Sequence, residues 1–345
     1  MDIAHKQGLL DGKIIPVALG QDKPLFSSET VDAAHFHGGD GLGGMHRTHP
    51  EYTPKGWEDV FSGASQPNSG KGFNVLDRPA DQEILHLLRS HEEDSITIVA
   101  IGPLSNIAKA AIADPQTFSR VAEVVVMGGC IDTMGNANPF AEFNTFADPE
   151  AAAIVFALSN PSLSRGMTLP LIPRFDPAVL DILGRAVKIT LVPLDMTRQH
   201  YVLEAEWDEG CQGTAIADWL AVVCANNFRP VIKNVAGEVE PFRGLVLHDA
   251  LCIWYLVNKD KLSFGADSLD LRVETMGQWT RGMCCVDRRP KAVMPANATS
   301  VSSCVDPGSW MDESVGNRIH VLTRTPGRRE WAKDVCRVVF GTNVS

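Results

Sequence analysis

Uncharged, β-branched runs recur along this chain, each stopped by glycine or proline and followed by residues of helical period. Residues 95–101 (SITIVAI) carry no charge, the signature of a strand buried on both faces. Gly102-Pro103 ends that run. Leu104, Ile107, Ala108, Ala111 and Ile112 then follow at i, i+3, i+4, i+7 and i+8, one face of a helix. Residues 121–127 (VAEVVVM) repeat the pattern and stop at Gly128-Gly129. Asp148-Pro149-Glu150 opens a helix through Phe156, with Asp as N-cap and Pro at the first helical position. A further strand over 188–194 ends at Asp195.

Strand, short turn, helix and strand in succession predict an α/β fold with a mostly parallel central sheet flanked by helices. The remaining elements are less regular. Strands are expected at 14–19, 283–286 and 319–323, and helices at 80–90, 214–225, 248–257 and 328–340. Residues 160–186 contain four prolines and are expected to be an insertion. Residues 290–317, rich in Ser, Pro and Asn, are expected to be a long surface loop. Nothing divides the chain clearly, so residues 1–345 are expected to form a single domain.

Composition narrows the partners. The net charge of −11 disfavours non-specific nucleic-acid binding, which rests on neutralising phosphates, and disfavours an anionic membrane surface. The apolar runs fall short of the roughly 18 residues that a membrane span needs. The start, MDIAHKQGLLDGK, contains no apolar core of a signal peptide. The 8 cysteines include no C-x-x-C, so they are expected to be buried thiols of a cytoplasmic protein rather than a zinc site or disulfide framework.

In open parallel sheets, ligands bind beyond the carboxyl ends of the strands. That rule selects Gly102–Asn106, Met127–Gly129 and Pro193–Asp195, with the helix start at His248-Asp249. Between them lies GNANPFAEFN at 135–144. Glu142 and Asn144 are two apart, so in an extended chain both project from one face, with Asn136 in a glycine-preceded turn. A carboxylate and two amides suit hydrogen bonding to a polyhydroxylated ligand such as a sugar; a loop braced by Asx-turns is the other reading. His248-Asp249 is either an ordinary helix start or a metal carboxylate beside a proton-donating imidazole. His35 and His37 either form an H-x-H metal pair on a strand or flank a glycine-rich loop, with one facing a ligand. The loop at 38–44 precedes no clear helix, so a dinucleotide site is rejected.

Together these segments resemble the inosine–uridine-type nucleoside hydrolase family. The matching blocks are PVALGQDKPL (16–25), HGGDGLGG (37–44), VAIGPLSNIA (99–108), VVVMGG (124–129), GNANPFAEFNTFADPEAAAIVF (135–156), VPLDMT (192–197), HDAL (248–251) and TRGMCCVDRR (280–289). The resemblance implies hydrolysis of ribonucleosides to ribose and free base, with Ca²⁺ as cofactor and assembly as a homodimer or homotetramer. It implies Asp249 and the main-chain carbonyl of Ser105 as metal ligands. Asn136, Glu142 and Asn144 would hold the ribose hydroxyls, and Met127 would line the pocket. His37 and His248 would lie near the base, with His248 assisting its departure.

One departure stands beside the match. The family opens with a strand and an Asp-x-Asp-x-Gly-x-Asp-Asp cluster that supplies most of the metal carboxylates, and this sequence contains no such cluster. The first strand is therefore expected to be missing, Ca²⁺ binding weak, and hydrolysis by this chain negligible. The alternative function is a catalytically defective homologue that binds nucleosides or a partner.

Overall fold

The computed structural model describes residues 11–52, 72–162, 168–210, 215–224, 227–232, 239–289, 306, 308–312 and 314–340. Two short parallel strands, β1 (Ile15–Val17) and β2 (Phe73–Val75), pair with each other outside the main sheet. The main sheet begins with β3 (Thr97–Ala100), β4 (Glu123–Met127) and β5 (Ile189–Val192), all parallel. An antiparallel three-stranded sheet follows, with β6 (Tyr201–Leu203) and β7 (Arg229–Ile232) on either side of β8 (Val239–Val246). The chain then adds β9 (Gly265–Leu269) and the antiparallel pair β10 (Leu271–Val273) and β11 (Cys284–Val286). β12 (Ile319–Arg324) enters between β5 and β9, so the central order is β3–β4–β5–β12–β9, with only β9 antiparallel to its neighbour.

Alternation along β4 explains how helices cover both faces. Val124 and Val126 point into one apolar cluster, and Val125 and Met127 into another. The first cluster takes α1 (Ala80–Ser90), α2 (Ser105–Ala113) and, beyond the short α3 (Phe143–Ala147), α4 (Pro149–Ala157). Helix α4 is apolar all round and buried from Ala151 to Ala157, as its AAAIVFA sequence demands. Beyond the single-turn α5 (Leu194–Thr197), the second cluster takes α6 (His248–Asn258) and α7 (Arg328–Phe340), with Trp254 and Trp331 in its interior.

Most expected elements form near their expected bounds. The 95–101 strand differs: β3 is only half-buried over Thr97–Val99, because among the described residues no strand pairs with its outer edge. The cleft edge beside it is a cavity of about 430 Å³ lined by Ile98–Pro103 and by Pro24 and Val31. Of the 290–317 loop, 290–305, 307 and 313 lie outside the described residues. Its end is not all surface: Asp306, Val315 and Asn317 are buried, and the Arg272 guanidinium stacks 3.8 Å from the Trp310 ring centroid. Among the described residues no helix is long and apolar enough to cross a membrane.

Candidate active site

β4 ends at Gly128-Gly129, and the second glycine turns the chain with φ +70°. A Cβ there would lie 2.7 Å from the Cys284 sulfur, so both space and backbone angle require glycine. The turn lets the Gly129 N–H donate to Glu142 Oε2 at 2.9 Å. Glu142 is 2% exposed and caps α3, accepting from Asn144 N (2.8 Å) and Thr145 N (3.1 Å). The expectation that Glu142 and Asn144 share one face of an extended segment is thus corrected. The carboxylate satisfies the free N–H groups of a helix start, and Asn144 sits in the first turn. Burial pushes the Glu142 carboxyl up to about 7 against those three N–H bonds, and the Asp249 charge adds to the rise.

Asn144 remains at the strand end by another route. Its Nδ2 donates to the Met127 carbonyl (3.1 Å) and lies 3.4 Å from the Met127 sulfur. Met127 itself is buried at the tip of β4. The exposed Asn136 accepts from Phe143 N at 2.7 Å, and Asn138 accepts from Phe140 N and Ala141 N. Asn138 therefore makes an Asx-turn through Phe140 N, whereas the Asn136 oxygen ties the loop to a residue seven positions on. The loop carrying Asn136 is clamped from β5's side: Asp195 accepts from Ile131 N (2.9 Å) and Asp132 N (2.7 Å). Arg198 donates to the Met134 carbonyl at 2.7 Å and to the Gly135 carbonyl at 3.3 Å.

The start of α6 stands beside these groups, with Asp249 near enough for its charge to act on Glu142. His248 is half-buried, with Nδ1 2.7 Å from Thr197 Oγ1. Loss of water around the ring, with the Arg198 and His37 charges behind it, pulls its pKa down to about 4. It is a neutral imidazole at pH 7, able to donate through one N–H. Asp249 is open to solvent at its edge, yet enough protein surrounds it to raise its carboxyl, an effect opposed by the His37 charge. His35 and His37 lie on one helical turn, Ala34–His37, rather than on a strand. At i and i+2 on a helix they face apart, so the H-x-H pair is not built.

Ser105 stands at the start of α2, beyond the end of β3. Its hydroxyl donates to Asp148 (2.5 Å), which also accepts from Leu25 N and Ala151 N. It lines the cavity beside β3. Calcium takes about six to eight oxygen ligands. Among the described residues no group of three or more His, Cys, Asp or Glu is placed to hold a metal. One carboxylate, Asp249, and one carbonyl, that of Ser105, do not amount to such a site.

Two contributors escaped the sequence reading. Thr197 and Arg198 stand on or just after α5, in and beside the VPLDMT block, which marked the place but not the contacts.

A mostly parallel α/β sheet with carboxyls, amides and an imidazole beyond its strand ends places polar groups where such folds bind ligands. Comparison with known proteins narrows the class. A family model described as inosine-uridine preferring nucleoside hydrolase matches residues 4–310. The inosine-uridine preferring nucleoside hydrolase of Leishmania major is 43% identical over 277 residues, 80% of this chain and 70% of its own length. The pyrimidine-specific ribonucleoside hydrolase RihA of Shewanella woodyi is 30% identical over 291 residues, 84% of this chain and 75% of its own length. A solved plant nucleoside hydrolase shares the fold with a TM-score of 0.65 at 21% identity, over 98% of this chain and 84% of that one. The chain belongs to the inosine-uridine preferring nucleoside hydrolase family, hydrolases that act on N-glycosyl compounds.

Proposed function

We propose that this chain binds ribonucleosides in the cleft at the ends of β4 and β5 and cleaves their N-glycosidic bond to ribose and free base. The observation that carries the reading is the near-complete family match, together with Glu142, Asn144 and Asn136 gathered beyond the end of β4 and His248 held to the end of β5 through Thr197. In this reading Asn136, Glu142 and Asn144 hold the ribose hydroxyls, and Met127 lines the pocket floor. Cleavage builds positive charge on the ribose ring, which the buried Glu142 and the amide oxygens stabilise. His37 and His248 face the base, and His248 donates its N–H to the leaving nitrogen. Similar proteins are named for different nucleosides, inosine and uridine in one case and pyrimidine ribonucleosides in another, so no base is assigned.

The family is one that binds a metal. Asp249 and the Ser105 carbonyl are this chain's contribution to Ca²⁺, and their small number makes the affinity weak. That same observation favours a second reading, nucleoside binding without turnover. A cytoplasmic location and a homodimer or homotetramer complete the proposal. Support for self-association comes from Ile253 and Val257, exposed one helical turn apart on α6.

Incubation with uridine and inosine, with added Ca²⁺ or with chelator, separates these readings. Base release that the chelator abolishes supports hydrolysis. Saturable nucleoside binding without release supports the second reading. Neither binding nor release overturns both.

A further inference from the structure

We propose that Thr197 is a positioning residue that decides which ring nitrogen of His248 carries the proton. The catalytic half of this inference rests on the hydrolase reading above; the tautomer does not.

Thr197 is 0% exposed, held on α5 at the end of β5. Its Oγ1 lies 2.7 Å from His248 Nδ1, across 51 residues of sequence. Among the described residues no other partner is recorded for either atom. A hydroxyl has one proton to place and oxygen lone pairs to spare. Were Nδ1 protonated, it would donate to the threonine oxygen and leave the hydroxyl proton buried without an acceptor, a costly arrangement. With Nδ1 bare, the hydroxyl donates to it, both groups are satisfied, and the ring's hydrogen sits on Nε2.

His200, three residues from Thr197, supplies the contrast. Both of its nitrogens are engaged, Nδ1 with the Met196 carbonyl (2.9 Å) and Nε2 with Thr325 Oγ1 (2.8 Å). It is a structural histidine with nothing left to offer a ligand. His248 has one nitrogen engaged by Thr197 and, among the described residues, no recorded partner for the other. The bond from Thr197 thus presents an Nε2–H to a leaving base, instead of a lone pair that would repel the nitrogen of that base.

The test uses the full chain labelled with a heavy nitrogen isotope. Imidazole nitrogen shifts separate bare from protonated positions, and comparison with His248→Gln assigns the ring. The wild type is expected to show bare Nδ1 and protonated Nε2. Thr197→Ser, which keeps the hydroxyl, preserves that pattern. Thr197→Val, which keeps the volume, loses it and populates Nδ1–H. A wild-type ring protonated on Nδ1, or an unchanged ring in Thr197→Val, overturns the proposal. Turnover gives the second readout. Thr197→Val should lower kcat on inosine about tenfold or more, with KM little changed, while sparing a p-nitrophenyl riboside whose leaving group needs no proton. Equal losses on both substrates would show a merely structural role and overturn the positioning claim. No turnover on any riboside would sink the hydrolase reading, and the nitrogen shifts would still decide the tautomer.

Discussion

Two glutamates stand near opposite ends of β4, each only 2% exposed. Glu123, at the start of the strand, is surrounded by countercharge. Lys259 donates to it, Lys188 Nζ lies 3.3 Å away, and Thr190 adds a hydroxyl at 2.6 Å. Burial pushes its carboxyl up, but those partners outweigh it and hold the pKa below the usual glutamate value. Glu142, beyond the end of the strand, has three backbone N–H groups, another carboxylate nearby and, among the described residues, no cation paired with it, and its pKa rises to about 7. Exposure to solvent is equal at the two positions, but more protein surrounds Glu142, and that deeper burial is the first cause of its raised carboxyl. The missing countercharge leaves the rise unopposed: a buried carboxylate held without a paired cation is placed to meet charge that a ligand brings or develops.

The contrast can be broken by exchange. Glu142→Gln keeps one acceptor oxygen for the helix cap but removes the charge, and it should lower kcat/KM for ribonucleosides about 100-fold or more. Asn144→Ala and Asp249→Ala should each lower it by roughly tenfold to 100-fold, measured the same way. Glu123→Ala should leave the folded protein's nucleoside affinity unchanged. It strands Lys259 at the sheet and should cost about 3 kcal/mol in urea unfolding. Loss of binding in Glu123→Ala, at equal folded fraction, would erase the distinction.

The smallest effect is in pH. Glu142 has a folded pKa of about 7 against an ordinary 4.5, so between those values the folded state holds a proton that the unfolded state has released. Its contribution to stability therefore falls as pH rises from 4.5 to 7 and is flat above. Glu123 has a lowered pKa, so its contribution is present above 4.5 and is lost as pH falls through its folded value. Differences in unfolding free energy between wild type and each Gln variant, taken from pH 7 to below 4.5, should slope in opposite directions: the Glu142 difference falls with rising pH above 4.5, and the Glu123 difference grows with rising pH below it. Parallel slopes would contradict the assigned environments.

Much of this arrangement is legible in the chain, for physical reasons. An uncharged β-branched run such as VVVM suits a strand buried on both faces, and Gly128-Gly129 marks where it turns. Asp148-Pro149 announces a helix because each residue suits its place, and the structure has Asp148 capping Ala151 N. Glu142 was harder, because glutamate is not a favoured N-cap and EFN also suits an extended segment. The half-buried state of β3 depends on what lies at its outer edge, which no local pattern in SITIVAI encodes. The meeting of Thr197 and His248 follows from the fold alone, since nothing within VPLDMT or HDAL shows that the two stretches touch.

On the proposed function, Glu142 and its amide neighbours recognise the ribose. The direct measurement is calorimetric titration of uridine and of 2′-deoxyuridine into wild type, Glu142→Gln and Glu123→Gln. Wild type and Glu123→Gln should bind the ribonucleoside more tightly than its deoxy analogue, and Glu142→Gln should lose that preference. Equal preference in all three would contradict the assignment of the site.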